Sequence, residues 1–430
     1  MEKRRLFVLS IDALFDEDLG FIQKACPNLN EILKRSSKTQ GMISTYPAMT
    51  YVAHSSIITG CYPNEHGIAH NEHIEVGKAH PRWNWYRKDL KRDSIFDAAH
   101  KANYSTCAIN WPVTGADPNI DYNIPEIWSD LPSGCGRERF LSICSPGAEK
   151  LYDKYCNILR WKNQPELDIF GICCLLDIIK EHQPEVIFLH LSQLDHSRHS
   201  TGPYSDTNKR SLEEIDFRFG KIANELKKLE LYDKTDFIVL GDHGHIAVSQ
   251  IFNPNILMIN AGLIKLDSQN NIVSWDCYCH SAGLSCHVVL SHPENDFLRE
   301  RVIQVLDDII AHKEYGCSTY YTVTQLKEKF HLENGIDFSI ESEDGTSFGN
   351  SCFGKLIDSP DNTDYKFSIS GHGHDPSRGP MPAFYAAGPH IKEGLTLPKA
   401  RLIDEAPTFA MLLNINMPKV QGNTLRQLIK

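Results

Sequence analysis

Two stretches decide the fold: LFVLSID at residues 6–12 and FIVLGDHGH at residues 237–245. Each is a short, nearly unbroken apolar run that stops at a polar switch, Asp12 in the first and Gly241, Asp242 and His243 in the second. Runs of that length and composition suit strands buried on both faces, as in a parallel sheet. The pattern repeats along the chain. Residues 105–109 end at Asn110 and Trp111, residues 186–191 lead to Asp195, and residues 383–387 end at Gly388 and Pro389. Helical segments lie between them. In residues 211–229, Leu212, Ile215, Phe219, Ile222, Leu226 and Leu229 recur at three- and four-residue steps, and residues 94–101 are a second candidate. Strand–helix alternation predicts an α/β fold with right-handed crossovers. In such sheets ligands bind at the carboxyl ends of the strands, where Asp12, Asp195, Asp242 and His243 fall.

Residues 252–366 read differently. They hold an amphipathic helix over 297–312, short mixed runs and a Gly/Ser/Asp-rich stretch near 341–349. The expected organisation is a catalytic α/β core of residues 1–251 and 367–430, with 252–366 inserted as a smaller cap. No internal repeat or low-complexity tract is present.

The 430 residues are 41% hydrophobic and 23% charged, with 6 Trp, 16 Tyr and 19 Phe, which excludes wholesale disorder and fibrous repeats. The 44 Lys and Arg against 55 Asp and Glu give a net charge of −11, which argues against a nucleic-acid polymer or a membrane surface as partner. No run of 18 apolar residues predicts a membrane span. The N-terminal MEKRRLFVLSIDALFDEDLG has a basic start, but its apolar stretch is short and Asp12 interrupts it, so it reads as the first strand and not as a signal. The thirteen cysteines are odd in number and scattered, which suits reduced thiols and a cytoplasmic protein.

Metal-ligand residue types concentrate in three short segments. Asp195 and His199 stand four apart in DHSRH, on one face of a helical turn. Asp242 and His243 are adjacent in GDHGH, and His372 lies in GHGHDP. With Asp12 they make three carboxylates and three imidazoles, a mixture that suits zinc or a similar transition ion better than calcium or magnesium. Six ligands suffice for two ions with open positions for substrate. Thr50, in TYPAMTYVAHSSIITGCYPNEHGIAHNE, is the nucleophile candidate. Its hydroxyl stays protonated at neutral pH unless a metal stabilises the alkoxide. Thr50 also reads as a helix N-cap, at a helix start that would aim free N–H groups at an anion.

These segments, in this order, resemble the alkaline phosphatase superfamily, and within it the nucleotide pyrophosphatase/phosphodiesterase (type I phosphodiesterase) family. That family has a Thr followed by an aromatic about ten residues before Thr-Gly-x-Tyr-Pro-x-x-His-Gly-Ile, here Thr59 to Ile68. Trp111-Pro112 and the C-terminal EAPTFAMLLNINMP also resemble family patterns. The resemblance implies an alkaline-phosphatase-like three-layer fold with a mostly parallel central sheet. It implies that Asp195, His199 and His372 bind one Zn²⁺, and that Asp12, Asp242 and His243 bind a second, with Thr50 as fourth ligand and nucleophile. At GHGHDP the family pattern selects His372 over His374, and His196 and His245 are read as lying behind the ligands or facing solvent. Asn71 would donate to a phosphoryl oxygen, aided by the backbone N–H of Thr50 or Tyr51. Tyr51 would serve as a platform for a nucleobase. Val52 and Ala53 depart from the family's Pro-Asn before His54, a difference that bears on nucleotide preference and leaves the metal residues intact.

The implied activity is hydrolysis of a small phosphodiester or nucleotide through a phospho-Thr50 intermediate, with retention at phosphorus. A phosphomonoesterase or phosphonoacetate-type hydrolase would use the same metals. No Arg stands near Thr50 in sequence to hold a monoester dianion, which favours diesters. A non-catalytic metal- or nucleotide-binding module is the third reading, and no expected nucleophile or ligand is missing to support it. GTSFG at 345–349 lacks the buried strand of a hydrolase elbow. GNSCFGK at 349–355 is followed by Leu356, where a P-loop needs Ser or Thr. Cys277 and Cys279, with His280, Cys286 and His287 nearby, fit buried thiols on one strand face better than a further zinc site. Cys61 precedes Tyr62-Pro63-Asn64-Glu65, with Glu where a sulfatase motif needs Arg.

Overall fold

The computed structural model describes residues 3–78, 81–127, 136–161 and 163–430. Its centre is an eight-stranded sheet in the spatial order Thr396–Leu397, Ser37–Thr39, Phe384–Ala387, Thr235–Leu240, Arg5–Ile11, Val186–Leu191, Thr106–Ile109, Tyr122–Ile124. All neighbouring pairs are parallel except those of Phe384–Ala387, which runs antiparallel to both neighbours. The apolar runs read from the sequence are thus strands, and the one nearest the C-terminus is reversed.

The sheet is covered on both faces. Phe7 on the central strand meets Phe219 of the helix Asp206–Lys228, with ring centroids 6.2 Å apart. Phe188, level with Val8 on the next strand, points the other way. It packs edge-on against Phe96 of the helix Ile95–Lys101, Trp111, and Phe409 of the helix Glu405–Leu413. This double burial explains why the strands read as continuous apolar runs rather than alternating ones. The helix Asp206–Lys228 begins a turn earlier than its apolar stripe, because Ser205 caps it through the backbone N–H of Asn208.

A second hydrophobic cluster draws on Phe252, Met258, Cys277, Val288, Leu306, Phe338 and Phe348, among others. Its antiparallel sheet runs Cys277–Ser281, Ser285–Leu290, Phe338–Ser342, Cys317–Thr322, and the helix Asp296–Ala311 buries Leu298, Val302, Leu306 and Ile309 beside it. The strand Ile246–Phe252 carries the chain out of the main sheet. It pairs with Gly345–Phe348, Ile357–Asp358 and Ser370–Gly371. The return strand thus ends directly before His372. Lys366 Nζ donates to Glu72 Oε2 at 2.8 Å, a buried ion pair that ties this second region to the first.

Three weak motifs resolve as structure. Gly345 to Phe348 form a strand, and Ser347 Oγ lies within hydrogen-bond reach of the carbonyls of Gly283 and Lys366, so GTSFG makes no elbow. No helix follows Gly349, as a P-loop would need. Every cysteine among the described residues is a free thiol; Cys135 lies outside them. Cys277 and Cys279 sit in the second hydrophobic cluster.

Phe188 is fully buried between three other aromatic side chains. Phe188→Ala should lower the unfolding free energy by about 3–5 kcal/mol, read from the urea midpoint at unchanged slope. A shift below about 1 kcal/mol would contradict this packing.

Candidate metal centre

Asp12 follows the strand Arg5–Ile11 and anchors its backbone N–H on the Leu191 carbonyl at 2.9 Å. The chain then turns sharply: Ala13 has φ 58°, and its N–H donates to Asp242 Oδ1 at 3.0 Å. Gly241 permits the neighbouring approach, since a Cβ there would lie 2.2 Å from the Leu14 carbonyl oxygen. These contacts lock Asp12 and Asp242 side by side at adjacent strand ends.

Thr50 is the first residue of the helix Thr50–Thr59; the N-cap position belongs to Met49, which corrects the expectation of an N-cap threonine. Gly60 ends the helix in the left-handed region at φ 66°. All ten helical residues are buried, so the segment shows no amphipathic stripe. Thr50 Oγ1 lies 3.1 Å from His243 Nε2. The same nitrogen is 3.2 Å from Asp12 Oδ1 and 3.3 Å from Asp242 Oδ2.

Asp195 and His199 share the helix Gln193–Thr201, with Oδ2 3.4 Å from Nε2. His372 joins them from the end of the strand Ser370–Gly371. His199 Nδ1 bonds the Ser370 carbonyl at 2.8 Å, and His372 Nδ1 bonds that of Ala48 at 3.2 Å. Both imidazoles therefore turn Nε2 toward Asp195, an orientation typical of metal ligands. The His243 and His372 rings stack at 3.9 Å between centroids, so the two groups abut.

The six side chains assemble as two groups, Asp12/Asp242/His243 and Asp195/His199/His372. Within each group the ligand atoms lie within 4.8 Å of one another. His245 belongs to the second group as well. It is buried, not solvent-facing, and its Nε2 lies 2.7 Å from Asp195 Oδ1. His196 is exposed on the cavity wall, and His374 is buried apart from both groups, in contact with Arg378.

Electrostatics favour a cation here. Burial raises Asp12 and Asp242 well above the usual carboxylate range; the charge of Asp195 raises both further, and that of Asp12 adds to the rise at Asp242. Burial works against an ionised Asp195 too, but His199 and the hydrogen bond from His245 hold it well below that range. Asp12 Oδ1 and Asp242 Oδ2 are buried with no hydrogen-bond partner among the described residues. Both face His243 Nε2, as oxygens kept for an ion would. The mixed oxygen and imidazole donors fit a transition ion.

Asn71 accepts the Tyr51 N–H on Oδ1 at 3.0 Å, which leaves its amide N–H₂ as the donor. The Tyr51 N–H is thereby engaged, so the expectation that it serves substrate is corrected. Tyr51 itself is 1% exposed and meets Trp83 edge-on at 5.2 Å. Trp83 in turn meets Tyr365 at 5.9 Å. These rings line a cavity of about 880 Å³ together with Asp12, Thr50, Asn71 and Asp195. Arg82 and Arg139 also line it, although neither stands near Thr50 in sequence. Arg82 is committed to Asp89.

Sequence reasoning missed a buried relay behind the centre. His54 Nδ1 bonds the Thr50 carbonyl at 2.8 Å and its Nε2 meets Ser10 Oγ at 2.8 Å. His190 Nδ1 reaches Ser10 Oγ at 3.2 Å, and its Nε2 lies 3.4 Å from Asp12 Oδ2. The available signal was a polar residue at positions 10 and 190 inside otherwise apolar strands. A third group, His70, Glu72 and His280, is a structural network instead. His70 accepts the Glu72 N–H on Nδ1 and donates Nε2–H to the Ser281 carbonyl, while Glu72 takes Lys366.

Comparison with known proteins finds relatives in sequence and in fold. Ectonucleotide pyrophosphatase/phosphodiesterase family member 3 from Mus musculus is 24% identical over 250 residues, covering 56% of this chain and 24% of that protein. Venom phosphodiesterase 2 from Crotalus adamanteus is 23% identical over 259 residues, covering 58% and 28%. The matches thus span about a quarter of the curated relatives. Murine ectonucleotide pyrophosphatase/phosphodiesterase 5 superposes with a TM-score of 0.67 at 17% identity, covering 99% of this chain and all of that one, and so shares the alkaline-phosphatase-like fold. The model of the type I phosphodiesterase/nucleotide pyrophosphatase family matches residues 6–351, and the chain belongs to that family.

Proposed function

We propose that the protein is a two-zinc phosphodiesterase or nucleotide pyrophosphatase that cleaves small phosphodiesters or phosphoanhydrides through a phospho-Thr50 intermediate. The observation that carries this reading is the convergence of Thr50 Oγ1, Asp12 Oδ1 and Asp242 Oδ2 on His243 Nε2, all at 3.1–3.3 Å. Asp12, Asp242, His243 and Thr50 would hold one ion, and Asp195, His199 and His372 the other. When bound, the ions would act as Lewis acids on the attacking and leaving oxygens and ease ionisation of the threonine hydroxyl.

The chain's own residues do the rest. The helix that starts at Thr50 directs its N-terminal dipole at the phosphoryl group. Asn71, fixed by the Tyr51 N–H, offers its amide to a phosphoryl oxygen. Thr50 attacks in line, the alcohol or phosphate leaves, and water cleaves the phosphothreonine from the opposite side, so configuration at phosphorus is retained overall. Trp83 and Tyr365, with a small part of Tyr51, supply the aromatic wall for a nucleobase. A nucleotide substrate accords with the family's description and with a fold neighbour described as an inactive variant in complex with AMP. Residues 252–366 act in this reading as the cap that supplies Tyr365 and Lys366 to the cavity. The free thiols support a cytoplasmic setting. No helix among the described residues is long and apolar enough to cross a membrane.

With zinc loaded, Thr50→Ala should reduce turnover of an aryl phosphodiester by roughly 10³-fold or more, and Asn71→Ala by about 10²-fold in kcat. Full activity in Thr50→Ala would reject the nucleophile. A higher kcat/KM on the matched monoester than on the diester would reverse the substrate order.

Ion binding should release protons. Asp12 and Asp242 are raised in the metal-free protein and must be ionised to act as ligands, so affinity rises with pH above the ordinary carboxylate range. Calorimetric titration with zinc in buffers of different ionisation enthalpy reads that release. A pH-independent affinity with no proton release would contradict it.

A further inference from the structure

We propose that His245 is a positioning residue for the Asp195 group: it holds one oxygen of the Asp195 carboxylate so that the other faces the ion. The inference rests on the metal-centre reading above and assigns a role to a residue that reading does not use.

His245 lies within 4.8 Å of the other three members, so proximity alone would make it a fourth ligand. Separations within the cluster say otherwise. Two nitrogen or oxygen donors each about 2.0–2.1 Å from one tetrahedral ion stand about 3.3–3.4 Å apart. Asp195 Oδ2 and His199 Nε2 are 3.4 Å apart, Asp12 Oδ1 and His243 Nε2 3.2 Å, and Asp242 Oδ2 and His243 Nε2 3.3 Å. Asp195 Oδ1 and His245 Nε2 are 2.7 Å apart, the length of a charge-assisted hydrogen bond. The two carboxylate oxygens thus differ: Oδ2 has the spacing of a ligand toward His199, whereas Oδ1, 3.9 Å from His372 Nε2, accepts the Nε2–H of His245 at 2.7 Å.

The surroundings fix that arrangement. His245 Nδ1 lies 2.9 Å from Ser370 Oγ, which donates to it when Nε2 carries the proton. The Ser370 carbonyl meanwhile accepts from His199 Nδ1. One strand residue therefore orients two imidazoles, and the third, His372, stands two residues further on. The pairing of Ser370–Gly371 with Ala247 and Ile246 holds the strand against the segment that begins just after His245. A fourth protein ligand would close a tetrahedral site, as in structural zinc centres. A donor to the non-ligating oxygen keeps a coordination position open for substrate and stiffens the carboxylate.

The test is metal binding by the full chain. The metal-free wild type, Ser370→Ala, His245→Leu and His245→Gln are titrated with Zn²⁺ and, for spectra, Co²⁺. Gln places a side-chain N–H close to the position of imidazole Nε2; Leu keeps volume without a donor. The wild type should take two ions. His245→Leu should bind one of them about 10–100-fold more weakly. His245→Gln should recover most of that affinity with the wild-type cobalt spectrum. Ser370→Ala should lose a smaller factor, and it serves as the probe if circular dichroism shows His245→Leu unfolded. His245→Gln as weak as His245→Leu, with an altered cobalt spectrum, would make His245 a ligand and overturn the proposal. Unchanged affinity in His245→Leu, or in Ser370→Ala where that is the probe, would overturn it as well. A wild type that takes up no ion would overturn the metal-centre reading itself, and this inference with it.

Discussion

Three carboxylates buried at one end of a sheet set the terms for this structure. Asp12, Asp195 and Asp242 repel one another in surroundings that solvate charge poorly. Imidazoles relieve part of that: His199 and His245 hold Asp195 ionised. Asp12 and Asp242 get less: His243 and the Ala13 N–H favour an ionised Asp242, yet both carboxyls stay raised, and each keeps an oxygen without a hydrogen-bond partner among the described residues. A divalent ion answers that arrangement directly, because it supplies the missing positive charge and takes up both orphaned oxygens.

The fold makes the convergence possible. Parallel strands end together, so residues separated by most of the chain arrive at one edge. Asp12 and Asp242 follow neighbouring strands, and the Ala13 turn welds them through one hydrogen bond. Thr50 arrives on a wholly buried helix, fixed by the His54 bond to its carbonyl. The strand Ser370–Gly371 returns from the second hydrophobic region and delivers His372. Rigidity of this kind would suit the proposed use of Thr50, a weak nucleophile whose placement matters.

Much of this was legible in the sequence, for physical reasons. Strands buried on both faces are apolar throughout, so Val186–Leu191 and Phe237–Leu240 stood out without any partner being known. The candidate ligands at their ends could be picked out because each sits at a switch from apolar run to polar loop. The helix Thr50–Thr59 shows only its start in the sequence, through the cap character of Thr50 and one residue out, since a segment buried on every face carries no stripe. The layer behind the ligands was hidden for a different reason. His245 depends on Ser370, 125 positions away, and His190 on Ser10, 180 positions away. A single histidine in DHGH does not disclose such a partner. The cavity wall was hidden likewise, because Trp83 and Tyr365 meet only in the folded chain.

The central claim is a dinuclear centre beside Thr50, and anomalous X-ray diffraction at the zinc absorption edge tests it most directly. Crystals of the zinc-loaded protein should show two anomalous peaks in this cavity, one bounded by Asp12, Asp242, His243 and Thr50, the other by Asp195, His199 and His372. A single peak, or zinc bound only away from these residues, would contradict the account.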